Sequence, residues 1–325
     1  PLFFNGGLIF FDNKGSIIKY SNNSKVIWKK NYYSKYEKKL NPKISFALKN
    51  ENLIIADNVS KMFLLNFSNG DLIWSNDNIY PLNSDIKIFG NKFFLVDYEN
   101  TLRCFDIRDG SECWNVKTEN SFTMSNTKNS LIITNDLVIF SNSIGDITAV
   151  DIPTGSIVWQ LPTQSSQIIN KTYNFEISKL VSDGKFIYFS NNKNQFFSID
   201  IKTGIINWVN EVNSNLTPIL IEDLIFTISN SGYLIVMQRK QGTMIIINHL
   251  YKYLQDKERE KIKPTGFVIA KNKLYLSNNN GSIIVINLSS GNTTKVQKIS
   301  RKQISEPFIY NQNLFLINGS VAQYN

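Results

Sequence analysis

Apolar residues in this chain come in short runs, and clusters of Asn, Asp, Ser and Gly separate the runs. Eight runs with the same surroundings start near Leu8, Leu53, Phe93, Leu137, Phe186, Leu224, Leu274 and Leu314. One reads Leu137-Val-Ile-Phe-Ser-Asn-Ser-Ile-Gly-Asp146, another Leu274-Tyr-Leu-Ser-Asn-Asn-Asn-Gly281. Runs this short, closed by turn formers and rich in β-branched and aromatic residues, predict strands joined in hairpins. A second turn follows most of them, at Asn69-Gly70, Asp109-Gly110, Thr154-Gly155 and Thr203-Gly204, with a degenerate Asn23-Ser24 ahead of the first. Four residues beyond each of these turns stands a tryptophan: Trp28, Trp74, Trp114, Trp159 and Trp208, spaced by 46, 40, 45 and 49 residues. A period of this length marks a repeat architecture.

The clearest copies are Ala149-Val-Asp-Ile-Pro-Thr-Gly-Ser-Ile-Val-Trp159 and Ser198-Ile-Asp-Ile-Lys-Thr-Gly-Ile-Ile-Asn-Trp208. The glycine supplies the positive φ that a hairpin with a bulge requires. Asp151 or Asp200 opens the turn, where a short carboxylate can accept from the backbone N–H groups ahead of it. A further short apolar run often precedes the first hairpin, as at Phe308-Ile-Tyr310, so each unit contains four antiparallel strands. Four-stranded units at this period predict an all-β, eight-bladed β-propeller occupying 1–325 as one domain. Seven blades is the alternative, because the last unit stops at Asn325 before a fourth strand. The strand that completes it is expected upstream of Pro1, in a precursor of which this chain is a mature or trimmed form. The sixth and seventh units keep the turn and lose the tryptophan, with Ile246 and Lys295 in its place. A motif that decays in this way is structural, and the five tryptophans are expected to pack each blade against its neighbour. The most helix-like stretch, Asn248 to Ile262, predicts a short helical insertion near 249–262, stopped by Pro264.

The 325 residues are 42% apolar, ample for a core, and no stretch approaches the ~20 apolar residues of a membrane helix. Net charge is +9. The densest basic stretch sets Lys29, Lys30, Lys35, Lys38, Lys39 and Lys43 against Glu37, after the first tryptophan. It is either a solvated loop or a contact for an acidic partner or an anionic membrane surface. Nucleic acid is not expected as a partner, since the lysines are dispersed and no recognition module is visible. Cys104 and Cys113 flank the Asp109-Gly110 turn on adjacent strands, close enough for a disulfide or for two free thiols in mismatched register.

Catalytic equipment is sparse. The single histidine, His249, rules out a cluster of histidine metal ligands. No glycine-rich phosphate loop precedes a helix. Asp106, Asp151 and Asp200 recur at one repeat position, which makes them turn residues distributed among the units. No catalytic residue, cofactor or metal is expected.

The Asp-x-x-Thr-Gly-x-x-x-Trp sentence of residues 149–159 resembles the repeat of quinoprotein-type propellers, over nearly the whole chain. One branch of that group, the dehydrogenases that bind pyrroloquinoline quinone and calcium, carries acidic and amide calcium ligands and often adjacent cysteines, which are not evident here. The chain is more similar to the BamB family, propeller lipoproteins of the outer-membrane β-barrel assembly machine. The resemblance implies a non-enzymatic scaffold at the periplasmic face of the bacterial outer membrane, held there by an N-terminal lipid anchor. Its implied partners are the POTRA domains of the main assembly subunit, with strands of unfolded outer-membrane proteins as further ones. It also implies two contact loops at one end of the propeller. The first falls on Phe122, Met124, Ser125 and Asn126, where Phe122 and Met124 keep the family's apolar pair while Ser125 and Asn126 replace its Arg and Gly. The second is the connection from Gln164 to Lys179, including Asn174 and its only carboxylate, Glu176. A generic peptide-binding propeller, or a quinone-dependent dehydrogenase, is the alternative function.

Overall fold

Strand pairing takes up all eight of the recurring apolar runs, and the turns between them fall where Asn, Asp, Ser and Gly stand. The computed structural model describes residues 2–324 apart from 5, 13, 79, 120–127, 165–174 and 318–320, and of 321–324 it describes the backbone alone. Among the described residues there are eight antiparallel sheets, seven of four strands and a last one of three. Strand order follows chain order in each, so every sheet is a meander closed by hairpins. The chain divides into two compact units, 1–173 and 174–325, and each contains four sheets, numbered 1 to 8 along the chain.

Sheet 4 shows how composition becomes position. Its strands are Leu131–Thr134, Leu137–Ser141, Ile147–Asp151 and Ile157–Leu161. The second and third are buried almost throughout, whereas the fourth alternates exposed and half-buried residues. A strand covered on both faces needs apolar or small residues at every position, while an outer strand has one face in water. Within each unit the core accordingly lies between successive sheets. In unit 1, Phe93, Leu95 and Phe105 of sheet 3 pack on Ile54, Met62 and Leu64 of sheet 2. In unit 2, Leu274, Leu276 and Ile284 of sheet 7 pack on Phe226, Leu234 and Val236 of sheet 6.

The repeated turn has one geometry. In all seven four-stranded sheets the register between third and fourth strands slips by one residue, as between Ala149 and Val150 or Ser198 and Ile199. Gly155 at φ 73° and Gly204 at φ 70° sit in the left-handed region. Asp151 Oδ1 accepts from the Thr154 N–H at 2.9 Å and its hydroxyl at 2.6 Å, and Asp200 treats Thr203 in the same way at 3.0 Å. Glycine is required for a second reason. A Cβ on Gly155 would stand 2.7 Å from the Trp114 ring, one on Gly70 2.7 Å from Trp28, and one on Gly242 2.7 Å from Trp208. The indole N–H groups of Trp28, Trp74 and Trp114 donate to the carbonyls of Phe67, Ile107 and Ile152 at 3.1, 2.8 and 3.1 Å. In unit 2, Trp208 donates to Arg239 O at 2.9 Å. The glycine of one repeat thus makes room for the tryptophan of the repeat before it. Trp159 holds the equivalent strand position, paired with Ala149.

Among the described residues, two linkers carry short helices. Helix α1, Lys35–Lys39, follows sheet 1, and helix α2, Asp256–Arg259, follows sheet 6. Of the helical insertion expected near 249–262, only Asp256–Arg259 is helical. His249 ends the strand Met244–His249, in register with Tyr233, and its ring lies 4.5 Å from that of Tyr233 between centroids. Leu250 and Tyr251 are buried, so core packing takes those residues before a helix can use them. Each linker is pinned by a tyrosine five residues beyond the tryptophan position. Tyr33 donates to Asp57 Oδ2 and Tyr251 to Asn278 Oδ1, both at 2.6 Å and both buried.

Cys104 is buried, Cys113 is exposed, and both are free thiols. Cys104 pairs with Trp114, so Cys113 is the extra residue of the bulge. Burial, and then the adjacent Cys113 thiol, push the Cys104 thiol well above its ordinary range.

Candidate interaction site

The first expected contact loop leaves the strand Glu112–Lys117 and returns toward the strand Leu131–Thr134. Its four singled-out residues, Phe122, Met124, Ser125 and Asn126, lie outside the described residues. Both ends of the loop are described, and one side chain holds them. Asn100 is fully buried in a tight turn at φ 58°. Its carbonyl accepts from Thr118 Oγ1 at 3.0 Å, and its amide nitrogen donates to Glu119 O at 3.0 Å. On the returning side, Asn129 Nδ2 donates to Asn100 Oδ1 at 3.2 Å. Asn129 also forms a parallel bridge with Ser84 and donates its N–H to Asn83 O at 2.7 Å. A fully buried amide with donors and acceptors matched is rigid, because every alternative orientation leaves a polar atom unsatisfied.

The second expected loop starts from the same corner. Asn100 Nδ2 also donates to Ser143 Oγ at 2.8 Å, and the Ser143 N–H donates back to Asn100 Oδ1 at 3.1 Å. The turn that begins at Asn142 in turn receives Thr163 Oγ1 on Gly145 O at 2.7 Å and Gln164 Nε2 on Ile144 O at 2.6 Å. The unit 1 ends of both loops are therefore rooted on the turn from Asn142 to Asp146. Asp146 is buried there. Burial pushes its carboxyl above the usual range, against a hydrogen bond from Asn142 and with help from the charge of nearby Glu119.

Unit 2 contains the far end of the second loop. Asn174 lies outside the described residues. Glu176 is half-buried, its backbone N–H donates to Asn192 Oδ1 at 3.2 Å, and its carboxylate accepts from the side chain of Asn215. Glu176 is thus engaged by its own unit, through a contact that sequence reading missed. The same holds for Asn100. Its turn, Tyr98-Glu-Asn-Thr101, looks like any other of the chain's polar turns, and only the inward direction of the side chain sets it apart. Among the described residues no group of three or more His, Cys, Asp or Glu side chains stands together as metal ligands would.

Repeated four-stranded meanders, docked within each unit by tryptophans such as Trp28, Trp74, Trp114 and Trp208 over the turn glycine of the following repeat, define a β-propeller protein of the quinoprotein-like repeat class. Residues 13–248 match the family model described as outer membrane protein assembly factor BamB, and the chain belongs to that family. Among solved structures it is similar to BamB from Moraxella catarrhalis, at 18% identity and a TM-score of 0.77 over 98% of this chain and 93% of that one. It is also similar to the computationally designed protein Ika8, at 12% identity and a TM-score of 0.74 over 99% and 94%. The C-terminal WD40 domain of Sif2 follows, at 11% identity and 0.71 over 96% and 89%. These likenesses establish the fold. No curated protein matches the sequence.

Proposed function

We propose that this chain is a non-catalytic scaffold of the outer-membrane β-barrel assembly machine, working at the periplasmic face of the outer membrane. Its eight sheets would be the blades of one propeller. Its partner would be the POTRA domains of the main assembly subunit, gripped by the two loops that follow Trp114 and Trp159. Membership of the BamB family carries this reading, and the shared root of both loops on the turn beginning at Asn142 supports it. Two loops anchored to one rigid corner can present a contact surface without paying much ordering entropy on binding. In this reading Phe122 and Met124 are the apolar anchors, Ser125 and Asn126 their polar flank, and Asn174 and Glu176 the edge of the second loop.

The test is a pull-down of the purified chain with a POTRA-domain fragment. Phe122→Glu or Met124→Glu should weaken capture by about 2 kcal/mol or more, as expected for a buried anchor, with the thermal midpoint unchanged. Undiminished capture by both variants would reject the site. Spectral titration with pyrroloquinoline quinone and calcium addresses the catalytic alternative, and saturable binding at micromolar cofactor would displace the scaffold reading.

A further inference from the structure

Helix α1 has unusual surroundings for so short an element. It is closed by a capping box, in which Ser34 Oγ accepts from the Glu37 N–H at 3.3 Å and Glu37 Oε2 accepts from the Ser34 N–H at 2.6 Å. Glu37 also pairs with Lys61 at 2.9 Å, and the stem of Lys38 lies over Gly15. The helix buries none of its own residues. What it displays is Tyr36, 71% exposed, and Leu40, 46% exposed, four residues apart and so on one face of the turn. Lys35, Lys39 and Lys43 surround them, all exposed and none in an ion pair among the described residues. Of the other basic residues in the stretch, Lys29 pairs with Asp12 at 3.6 Å and Lys30 with Asp71 at 2.7 Å. The one acidic residue of the stretch, Glu37, is already committed.

We infer that α1 and its flanks form a docking surface for an anionic phospholipid bilayer. Three features favour a bilayer over an acidic protein. The apolar pair stands out from the sheet and buries nothing, which suits insertion into a deformable interface. Its charge is carried by lysines, mobile point charges that lack the forked geometry used to grip one carboxylate. Long lysine stems can also lie along the apolar pair while their ammonium groups reach phosphates, and a tyrosine ring with its hydroxyl outward suits the same depth. This inference does not rest on the scaffold reading. It is carried by the charge and exposure of one linker.

The test is flotation of the whole chain with vesicles of phosphatidylcholine alone or with added phosphatidylglycerol. Binding should appear with the anionic vesicles only and fall with added salt. Each lysine near such a surface contributes about 1 kcal/mol, or roughly fivefold in partition, so Lys35→Gln, Lys39→Gln and Lys43→Gln together should lower it by roughly 100-fold. Tyr36→Ser with Leu40→Ser should weaken binding at unchanged charge. Lys252→Gln with Lys257→Gln, in the linker that carries α2, should leave it unchanged. All these residues are exposed, so an unaltered thermal midpoint is expected throughout. Equal partition of the wild type and the triple lysine variant would overturn the inference, as would equal binding to neutral vesicles. So would capture by soluble polyglutamate with no binding to anionic vesicles.

Discussion

The linkers after sheets 1 and 6 are built on one plan, and their anchoring contacts differ in a single acceptor. Tyr33 bonds to a carboxylate, Tyr251 to an amide, at the same distance of 2.6 Å and in the same place relative to the repeat. Asp57 has two acceptor oxygens and uses both. Oδ1 takes the N–H groups of Val59 and Lys61 at 2.8 Å and so shapes its own turn, while Oδ2 takes Tyr33. Asn278 has one acceptor oxygen, spent on Tyr251, and its turn is shaped instead by Asn280, which accepts from the Ser282 N–H at 3.0 Å. The amide nitrogen of Asn278 donates to Ser282 Oγ at 3.2 Å. One tertiary contact can therefore be made with a charged or a neutral group, provided the local turn is capped by other means. The linkers also differ in what they display. Residues 29–43 hold six lysines against one glutamate, while residues 250–263 hold five basic residues against three acidic ones. The anchors are shared, and the surfaces they carry are not.

The largest perturbation of this comparison removes the anchors. Tyr33→Ala and Tyr251→Ala should each cost about 3–5 kcal/mol, as truncations of buried aromatic rings, read by chemical denaturation. Similar losses would mean that the two linkers are equivalent joints, whereas a small loss at one would mean that its contact is incidental. Next comes Gly232→Ala, whose Cβ would stand 2.1 Å from the Tyr251 ring at a φ of 84°. It should cost about 1–3 kcal/mol by overpacking and leave the Tyr33 linker untouched.

Removing only the hydroxyls separates charge from packing. Tyr33→Phe should cost about 1.5–3 kcal/mol at neutral pH, because it strips a hydrogen bond from a buried carboxylate, and Tyr251→Phe about 1 kcal/mol. The smallest effect is a slope. Burial lifts the Asp57 carboxyl above its usual range, against the pull of Tyr33, the turn N–H groups and the Lys61 charge. The native state then keeps this proton at a pH where the unfolded chain has lost it. Stability should fall as pH rises from the ordinary carboxylate pKa to the raised one, and be level above it. Asp57→Asn should remove that component from a pH series of unfolding curves, and Asn278→Asp should create one of the same sign. An unchanged pH profile in both variants would show that the two acceptors are electrostatically equivalent.

Much of this protein is legible residue by residue. The turn glycines, the aspartates before them and the alternation of the outer strands follow from backbone geometry and a period of two, which act over a few neighbouring residues. The helix after His249 is shorter than its charged composition suggests, because that composition is local, whereas Leu250 and Tyr251 answer to a core that the local pattern does not contain. The candidate loops were located by their place after Trp114 and Trp159. Their shared root was not, since Asn100, Thr118, Asn129 and Ser143 are far apart in sequence and meet only when hairpins stack.

The sequence by itself determined the unit: four short strands, a bulged turn and a tryptophan, repeated at 40 to 49 residues. Each of those features depends on local φ and ψ preferences and on which faces must be apolar. Tertiary structure alone decided what each polar turn residue does. It placed the turn glycine under the previous repeat's tryptophan, gave Asp57 a tyrosine and Asn100 two loop ends, and, among the described residues, left the ammonium groups of Lys35, Lys39 and Lys43 outside any ion pair. The physical reason is that a side chain's partners are set by which chain segments stack against it, and hydrogen bonds and burial act across that stacking whatever the separation along the chain.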